Sequence, residues 1–75
     1  MFDKVVQILG DYTDFPTEKM NESTHLVNDL GLNSLDVMNV VVAFEDEFGI
    51  EIPDRVISDF HTVGDIALYL NNNII

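Results

Sequence analysis

The 75-residue chain contains no cysteine and no tryptophan, and it has only three basic residues. Without cysteine it forms no disulfide and offers no thiolate to a metal ion, so any thiol chemistry needs a group brought from outside. Three Lys and Arg against fourteen Asp and Glu give a formal net charge of −11. Such a charge argues against nucleic acid and anionic membranes as partners, and it favours proteins with basic surfaces.

Long apolar runs are also missing from the chain. The longest, Val40 to Phe44, has five residues, whereas a membrane-spanning helix needs about 20. The first residues, Met1 to Lys4, do not have the basic segment followed by an apolar one that begins a signal peptide. We therefore expect a cytoplasmic protein that stays off the membrane, and we expect it to be a monomer.

What the chain does have is enough apolar residues for one packed domain, predicted to cover residues 1–75. Hydrophobic residues make up 47% of the sequence, above the share that disordered chains usually carry. Their spacing is mostly that of amphipathic helices, and no pair of strand-like segments has a hairpin signal. The sequence predicts an all-α four-helix bundle with three longer helices and a short third one.

Turn and capping residues set the predicted bounds of these helices. The expected helices cover residues 2–15, 35–48, 54–60 and 63–70. Pro16 stops the first helix, because the residue before a proline is pushed out of the helical region. Gly49 closes the second helix as a C-cap, and Thr62 is the expected N-cap of the last one. The asparagines at 71–73 are expected to form a frayed end.

The segment from residue 17 to residue 33 has no sustained apolar period and predicts a long loop. Isolated apolar side chains are expected to hold it to the core: Met20, Leu26, Leu30 and Leu32. Long irregular loops are uncommon in a domain of this size and are often functional. The loop therefore directs attention to the helix that follows it.

The second helix carries apolar residues on two faces. One arc of about 100° predicts the core side, from the helical spacing of about 100° per residue: Val37, Val40, Val41, Phe44 and Phe48. The opposite arc mixes apolar with acidic and polar residues: Leu35, Asp36, Asn39, Val42, Ala43 and Asp46. Exposed single apolar residues need no functional explanation. Alternatively, Leu35 and Val42 form the centre of a docking site for a basic partner.

Ser34, directly ahead of this helix, has two compatible interpretations. A serine at such a position is most often an N-cap that accepts a backbone hydrogen bond. Its hydroxyl can also be presented at the helix N-terminus, where the dipole and the free N–H groups favour an attached phosphate. A hydrolase is a weaker interpretation, because Gly31 and Ser34 do not form a G-x-S-x-G elbow and no base is near in sequence.

The remaining polar residues give no sign of a metal site. His25 lies in the long loop and His61 beside the short helix, without the spacing of paired ligands, so we expect structural or surface roles for both. The acidic run from Glu45 to Glu47 does not have the alternating ligands and central glycine of a calcium loop. We predict no dedicated metal site.

Three segments carry a family resemblance. The stretch DLGLNSLD from Asp29 to Asp36, the helix end FEDEFG at 44–49 and the link IEIPD at 50–54 together closely resemble the acyl carrier proteins. In that family the serine of a D-S-L motif receives 4′-phosphopantetheine from coenzyme A through a phosphopantetheinyl transferase. Ser34 matches that serine.

The resemblance implies a carrier and not an enzyme, with an arm whose thiol holds acyl groups as thioesters. It implies that helix two binds the transferase and acyl-processing enzymes with basic surfaces, through Leu35, Asp36, Asn39, Val42 and Asp46. It also implies an apolar interior for the acyl chain, with candidate lining residues Val41, Phe44, Ile52, Ile57 and Phe60.

The chain departs from the family pattern at two positions. Asn33 stands where the motif usually has aspartate, and Asn39 stands where many relatives carry glutamate. These departures favour a specialised carrier over the housekeeping one, whereas Leu35 and Asp36 favour an acyl over a peptidyl type. The leading hypothesis is a carrier for fatty acid biosynthesis. The alternatives are a carrier for polyketide, aminoacyl or other acyl units and, from another class, an acidic helical adaptor that is never modified.

Overall fold

The computed structural model describes residues 1–73, which are built from helices and the segments that join them. The elements are α1 (Phe2–Leu9), a 3-10 helix (Thr17–Lys19), α2 (Ser34–Phe48), α3 (Asp54–Ile57) and α4 (Val63–Asn73). Within this range the extended pairing is limited to one isolated bridge, between His25 and Thr62. The predicted all-α bundle with a short third helix is therefore confirmed. The last two residues of the predicted domain lie outside the described residues.

The core lies where α1 packs against both α2 and α4. Each of the three helices turns an apolar stripe inward, and the buried side chains among them are Val5, Leu9, Val40, Val41, Phe44, Val63, Ile66 and Leu70. Val37 and Phe48 pack partly buried against this core, so the predicted inner arc of helix two is confirmed. Burying a large apolar side chain stabilises the folded chain by roughly 1.5–3 kcal/mol.

The prediction for the first helix was wrong at its C-terminal end. The helix stops at Leu9 and not at Phe15. The Tyr12 N–H donates to the Leu9 carbonyl at 2.9 Å in a tighter turn. The Thr13 hydroxyl then donates to the Leu30 carbonyl at 2.8 Å and accepts from the Phe15 N–H at 3.2 Å. A threonine side chain can form hydrogen bonds with the backbone that compete with those of a helix. The carbonyl that Thr13 reaches, that of Leu30, is distant in sequence.

The long loop is held to the bundle as expected. The four apolar side chains predicted to anchor it are all buried: Met20, Leu26, Leu30 and Leu32. Its backbone also pairs with the segment before α4. The Leu26 N–H donates to the His61 carbonyl, and the Val63 N–H donates to the Thr24 carbonyl, both at 2.9 Å. The loop is therefore ordered by long-range pairing that the sequence does not reveal.

Both C-terminal helices differ in length from the prediction. The short helix ends at Ile57 and not at residue 60, because the N–H groups of residues 59 and 60 donate to carbonyls three residues back, in tighter turns than those of the helix. The last helix continues through Asn73, where a frayed end was expected. The Asn73 side-chain amide donates to the Tyr69 carbonyl at 2.7 Å and so satisfies a carbonyl of the last turn.

The N-terminus of α4 is closed by a reciprocal cap. The Thr62 hydroxyl accepts from the Asp65 N–H at 3.1 Å, as predicted, and the Asp65 carboxylate accepts from the N–H groups of Thr62 and His61. Partial burial by itself raises the pKa of Asp65. The hydrogen bonds from His61 and Thr62, with attraction to the His61 ring, outweigh that effect and lower the pKa below its ordinary value.

Asp65→Asn tests this cap through its pH dependence. Because the pKa is lower in the folded chain, ionised Asp65 stabilises the fold above the unfolded-chain value of about 3.9, and the stabilisation is lost as pH falls through the folded-state pKa. We expect the variant to lose about 0.5 kcal/mol at neutral pH, a small figure because solvent screens a half-buried carboxylate. The deficit, measured by urea unfolding, shrinks toward zero as pH falls through the folded-state pKa.

Asp59→Asn is the matched control, because Asp59 is exposed and the same charge is removed without touching the cap. It should be neutral or slightly stabilising at neutral pH in a chain with a net charge of −11. An equal loss in both variants would contradict the role of the cap.

Candidate functional site

Ser34 is the first residue of α2, and Asn33 caps the helix in its place. Asn33 has the extended backbone of an N-cap, with φ −96° and ψ −179°. Its side-chain oxygen accepts from the Asp36 N–H at 2.9 Å, and its own N–H donates to the Asp36 carboxylate at 3.2 Å. The prediction that Ser34 is the N-cap was wrong, because the reciprocal pair between residues 33 and 36 begins the helix one residue earlier than expected.

The cap leaves the Ser34 hydroxyl outside the hydrogen bonds that begin α2. Ser34 is exposed, and its side chain starts from the first helical turn instead of folding back over it. The cap satisfies the N–H groups of Asn33 and Asp36, whereas those of Ser34 and Leu35 have no partner within the helix. An exposed hydroxyl thus lies at the positive end of a 15-residue helix, where negative charge is stabilised.

The outer face of α2 presents apolar side chains close to Ser34. Leu35 is 69% exposed, Val42 is 49% exposed and Met38 is 43% exposed. Asn39 and Asp46 are exposed beside them, and Asp36 is half-buried in the cap. Met38 was not among the residues expected on this face. Its position three residues after Leu35 and four after Ser34 is the signal that identifies it, since residues at these spacings share a helix side.

A hollow of about 280 Å³ opens beside Ser34 between α2 and α3. Its lining combines apolar side chains with three polar residues: Val27, Ser34, Val37, Met38, Ile57, Ser58, Phe60 and His61. Two of the predicted acyl-pocket residues, Ile57 and Phe60, line it. The other three, Val41, Phe44 and Ile52, are buried in the core. Val27, which is 53% exposed, lies in the long loop and had no periodic signal.

The turn after α2 positions the α3 side of this hollow. Gly49 adopts the left-handed conformation at φ 65°, and its N–H donates to the Glu45 carbonyl at 2.8 Å. A side chain at this backbone position would be strained, which explains glycine here. The Glu45 carboxylate accepts from the Ile52 N–H at 2.8 Å. The acidic end of α2 therefore fixes the link that carries α3 toward Ser34.

Negative charge dominates the described surface. The ion pair found within residues 1–73 joins Lys4 to Glu47 at 3.3 Å, with both side chains about half exposed. In the same range, no group of three or more His, Asp or Glu side chains is arranged to hold a metal ion. No helix in residues 1–73 has the length and apolar character needed to cross a membrane.

Three larger grooves lie away from Ser34. One, of about 510 Å³, runs between the first two residues and α4, and another, of about 540 Å³, lies beside Tyr12 and Gly31. The third, of about 330 Å³, lies beside Phe60 and Tyr69. All three are open to solvent, and none contains an exposed hydroxyl at the start of a long helix. The smaller hollow beside Ser34 is therefore the candidate site.

An exposed serine at the start of α2, unpaired helix N–H groups and an adjoining hollow with apolar and polar lining fit a phosphate ester whose arm ends in an apolar group. A small helical bundle with this arrangement is a carrier domain. A family model described as a phosphopantetheine attachment site matches residues 3–70, nearly the whole chain. The chain belongs to this acyl-carrier-like family, whose members carry covalently attached 4′-phosphopantetheine. The predicted family and cofactor are confirmed.

Asn33→Ala tests the assignment of the cap. Removing a capping side chain costs about 1 kcal/mol of stability, and we expect this loss in the free energy of urea unfolding. Asn33→Asp should retain the stability, because aspartate caps about as well as asparagine.

Ser34→Ala is the matched control for the cap. Alanine at the first helical position removes no capping bond, so the change should be within about 0.5 kcal/mol. If Ser34→Ala were the more damaging of the two, the assignment of the cap to Asn33 would be wrong.

Proposed function

We propose that Ser34 is the attachment residue for 4′-phosphopantetheine and that the loaded chain carries acyl intermediates for fatty acid biosynthesis. The observation that carries the proposal is the exposed Ser34 hydroxyl, outside the capping box and inside the segment matched by the family model. When bound, the group supplies a thiol that holds an acyl chain as a thioester. The absence of cysteine in the chain leaves no protein thiol to compete for that acyl group.

The attachment step is a phosphoryl transfer to Ser34 Oγ. The oxygen bonds to the phosphorus that bears pantetheine, the bond between the two phosphates of coenzyme A breaks, and adenosine 3′,5′-bisphosphate leaves. The hydroxyl proton passes to a base of the transferase, since the neighbouring carboxylate, Asp36, is engaged in the cap. The unpaired N–H groups of Ser34 and Leu35 favour the charge of the phosphate ester.

The outer face of α2 is the proposed surface for partner enzymes. Leu35, Met38 and Val42 give it an apolar centre, and Asp36 and Asp46 give it negative charge. A basic enzyme surface is attracted at long range and then buries the apolar side chains on contact. We propose the transferase and acyl-processing enzymes as these partners and the cytoplasm as the place where they meet.

The hollow beside Ser34 is the proposed resting place for an apolar acyl segment. Ile57 and Phe60 contribute apolar lining from beyond α2, and Val37 and Met38 contribute it from α2 itself. Transfer of an apolar chain from water to such a lining is favourable in proportion to the area covered. Behind this lining lie three residues of the packed core: Val41, Phe44 and Ile52. An acyl chain reaches them only when the core opens.

A carrier for polyketide, aminoacyl or other specialised acyl units is the second candidate. Asn33 and Asn39 favour it, because each is uncharged where the common pattern of the resembled family is acidic. A carboxylate paired with Arg or Lys forms a hydrogen bond roughly twice as strong as a neutral one. Partner enzymes that depend on those two carboxylates would bind this chain less tightly, so the two candidates differ in partner set and not in attachment chemistry.

Intact-mass spectrometry tests the attachment residue. Incubation with coenzyme A and a broad-range phosphopantetheinyl transferase should add the mass of one phosphopantetheine to the unmodified chain and nothing to Ser34→Ala. Ser58→Ala is a matched control, because Ser58 is another exposed serine lining the same hollow, and it should be modified at the normal rate. Modification of Ser34→Ala would show that the attachment residue is not Ser34. No modification of the original chain would leave the unmodified adaptor as the better explanation.

The transferase rate tests the role of Asn33. We expect Asn33→Asp to be modified several-fold faster at low salt, because a charge-assisted pair replaces a neutral hydrogen bond in the docked complex. The advantage should decrease as salt screens the pair. Asn39→Asp adds the same charge farther along the exposed face and controls for general attraction. Equal acceleration by both variants would contradict a specific pair at residue 33.

A further inference from the structure

Two histidines stack on each other where the long loop meets the start of α4. The ring centroids of His25 and His61 are 6.4 Å apart, with 25° between the ring planes. Beside them, His25 pairs with Thr62 in the isolated bridge, and the Leu26 N–H donates to the His61 carbonyl. The His25 ring therefore lies at the junction that fixes the loop to the bundle.

The His25 ring also holds the turn that follows it. We call residues 25–30 the His25 turn. Nδ1 of His25 accepts from the N–H of Val27 at 3.2 Å and from the N–H of Asn28 at 3.1 Å. The His25 carbonyl accepts from the N–H groups of Asp29 and Leu30. Nδ1 can accept these bonds only when it carries no proton, so the closed turn selects the neutral ring protonated on Nε2.

We propose that His25 is a pH-sensitive latch, whose protonation releases the His25 turn and changes the wall of the hollow beside Ser34. A proton on Nδ1 places a third donor against the N–H groups of Val27 and Asn28. The ring must then leave its place, and two backbone donors lose their acceptor. Histidine is the residue type used as a switch between neutral and mildly acidic solution, and the test below compares those two conditions.

The groups around the His25 ring have opposite effects on a positive charge there, because they include carboxylates and a second histidine. The Asp29 carboxylate accepts from the His25 backbone N–H at 2.7 Å, and Asp65 accepts from the His61 backbone N–H at 3.0 Å. Both carboxylates, and the net charge of −11, place negative charge around the two rings. The stacked His61 opposes a second positive charge beside His25. The junction therefore tolerates a positively charged His25 ring. Such a ring no longer accepts hydrogen bonds from the N–H groups of the His25 turn.

The opening is local because different contacts hold the rest of the loop. Leu26 and Leu30 are buried, and the backbone pairing with the segment before α4 does not use a histidine ring. The residues released are Val27 and Asn28. Val27 and His61 both line the hollow beside Ser34, so release of the His25 turn changes access to that hollow. The latch itself depends on no bound group.

Amide exchange in the unmodified full chain tests the latch. Solvent-exchange NMR, suited to fast amides, gives protection of Val27 and Asn28 relative to unstructured peptides near pH ~7.5 and ~5.5. We expect their protection to fall about tenfold at the lower pH, a change of the size that lost hydrogen bonds produce. The amides of Val40 and Val41, in the core stretch of α2, should keep theirs, because carboxylates do not titrate in this range.

Three variants separate the latch from general effects of pH. His25→Asn keeps an acceptor oxygen close to the place of Nδ1 but cannot be protonated, so its protection should be independent of pH. His25→Ala has no acceptor and should show low protection at both values. His61→Phe keeps a stacked ring that cannot be protonated, so the fall should persist.

The proposal is overturned if Val27 and Asn28 in the original chain are equally protected at both pH values. It is also overturned if His25→Asn shows the same fall as the original chain, because that fall cannot come from the ring. Neither result bears on whether Ser34 is modified.

Discussion

The reciprocal cap between Asn33 and Asp36 is the contact on which the candidate site depends. It sets the residue at which α2 begins, and the side chains after it follow at the helical spacing. With Asn33 as cap, Val40, Val41 and Phe44 face the core, and Leu35, Met38 and Val42 face outward. The same choice places the Ser34 hydroxyl outside the cap at the helix N-terminus. One local contact therefore decides where the serine stands relative to the inner and outer faces of the helix, which packing against the core sets.

The distribution of charge explains how so acidic a chain can both fold and bind partners. Most carboxylates are exposed, and several have structural partners: Asp36 and Asp65 close helix N-termini, Asp29 supports the His25 turn and Glu45 holds the link after α2. Acidic groups at helix N-termini complement the helix dipole. The remaining charge gives the surface a uniform sign, which favours encounter with basic proteins and discourages self-association. Most of the acidic set is thus free for recognition, and Asp36 belongs both to the cap and to the proposed partner face.

The long loop links the site to the rest of the bundle. The loop contributes Val27 to the wall of the hollow. Residues next to Val27 in the loop pair with the segment before α4, and that segment contributes His61. The wall of the hollow is consequently made of three parts of the chain: the loop, α2, and the stretch from α3 to α4. Such a wall can change without disturbing the packing of α1, α2 and α4. Access to the hollow can therefore vary while the packing of the core stays the same.

The sequence by itself determined the all-α fold, the inner arc of helix two, the glycine that ends it, the buried anchors of the loop and the likeness of the segment around Ser34 to a known family. These features follow from short-range spacing and from residues whose conformational preference is local. Tertiary structure decided where α1 ends, because the hydroxyl of Thr13 finds a carbonyl at Leu30. It also decided which apolar residues line the hollow, since Val27 and Met38 meet Ile57 and Phe60 only after the chain has folded. Contacts between residues far apart in sequence carry no periodic signal, and for that reason the arrangement around Ser34 became visible only in three dimensions.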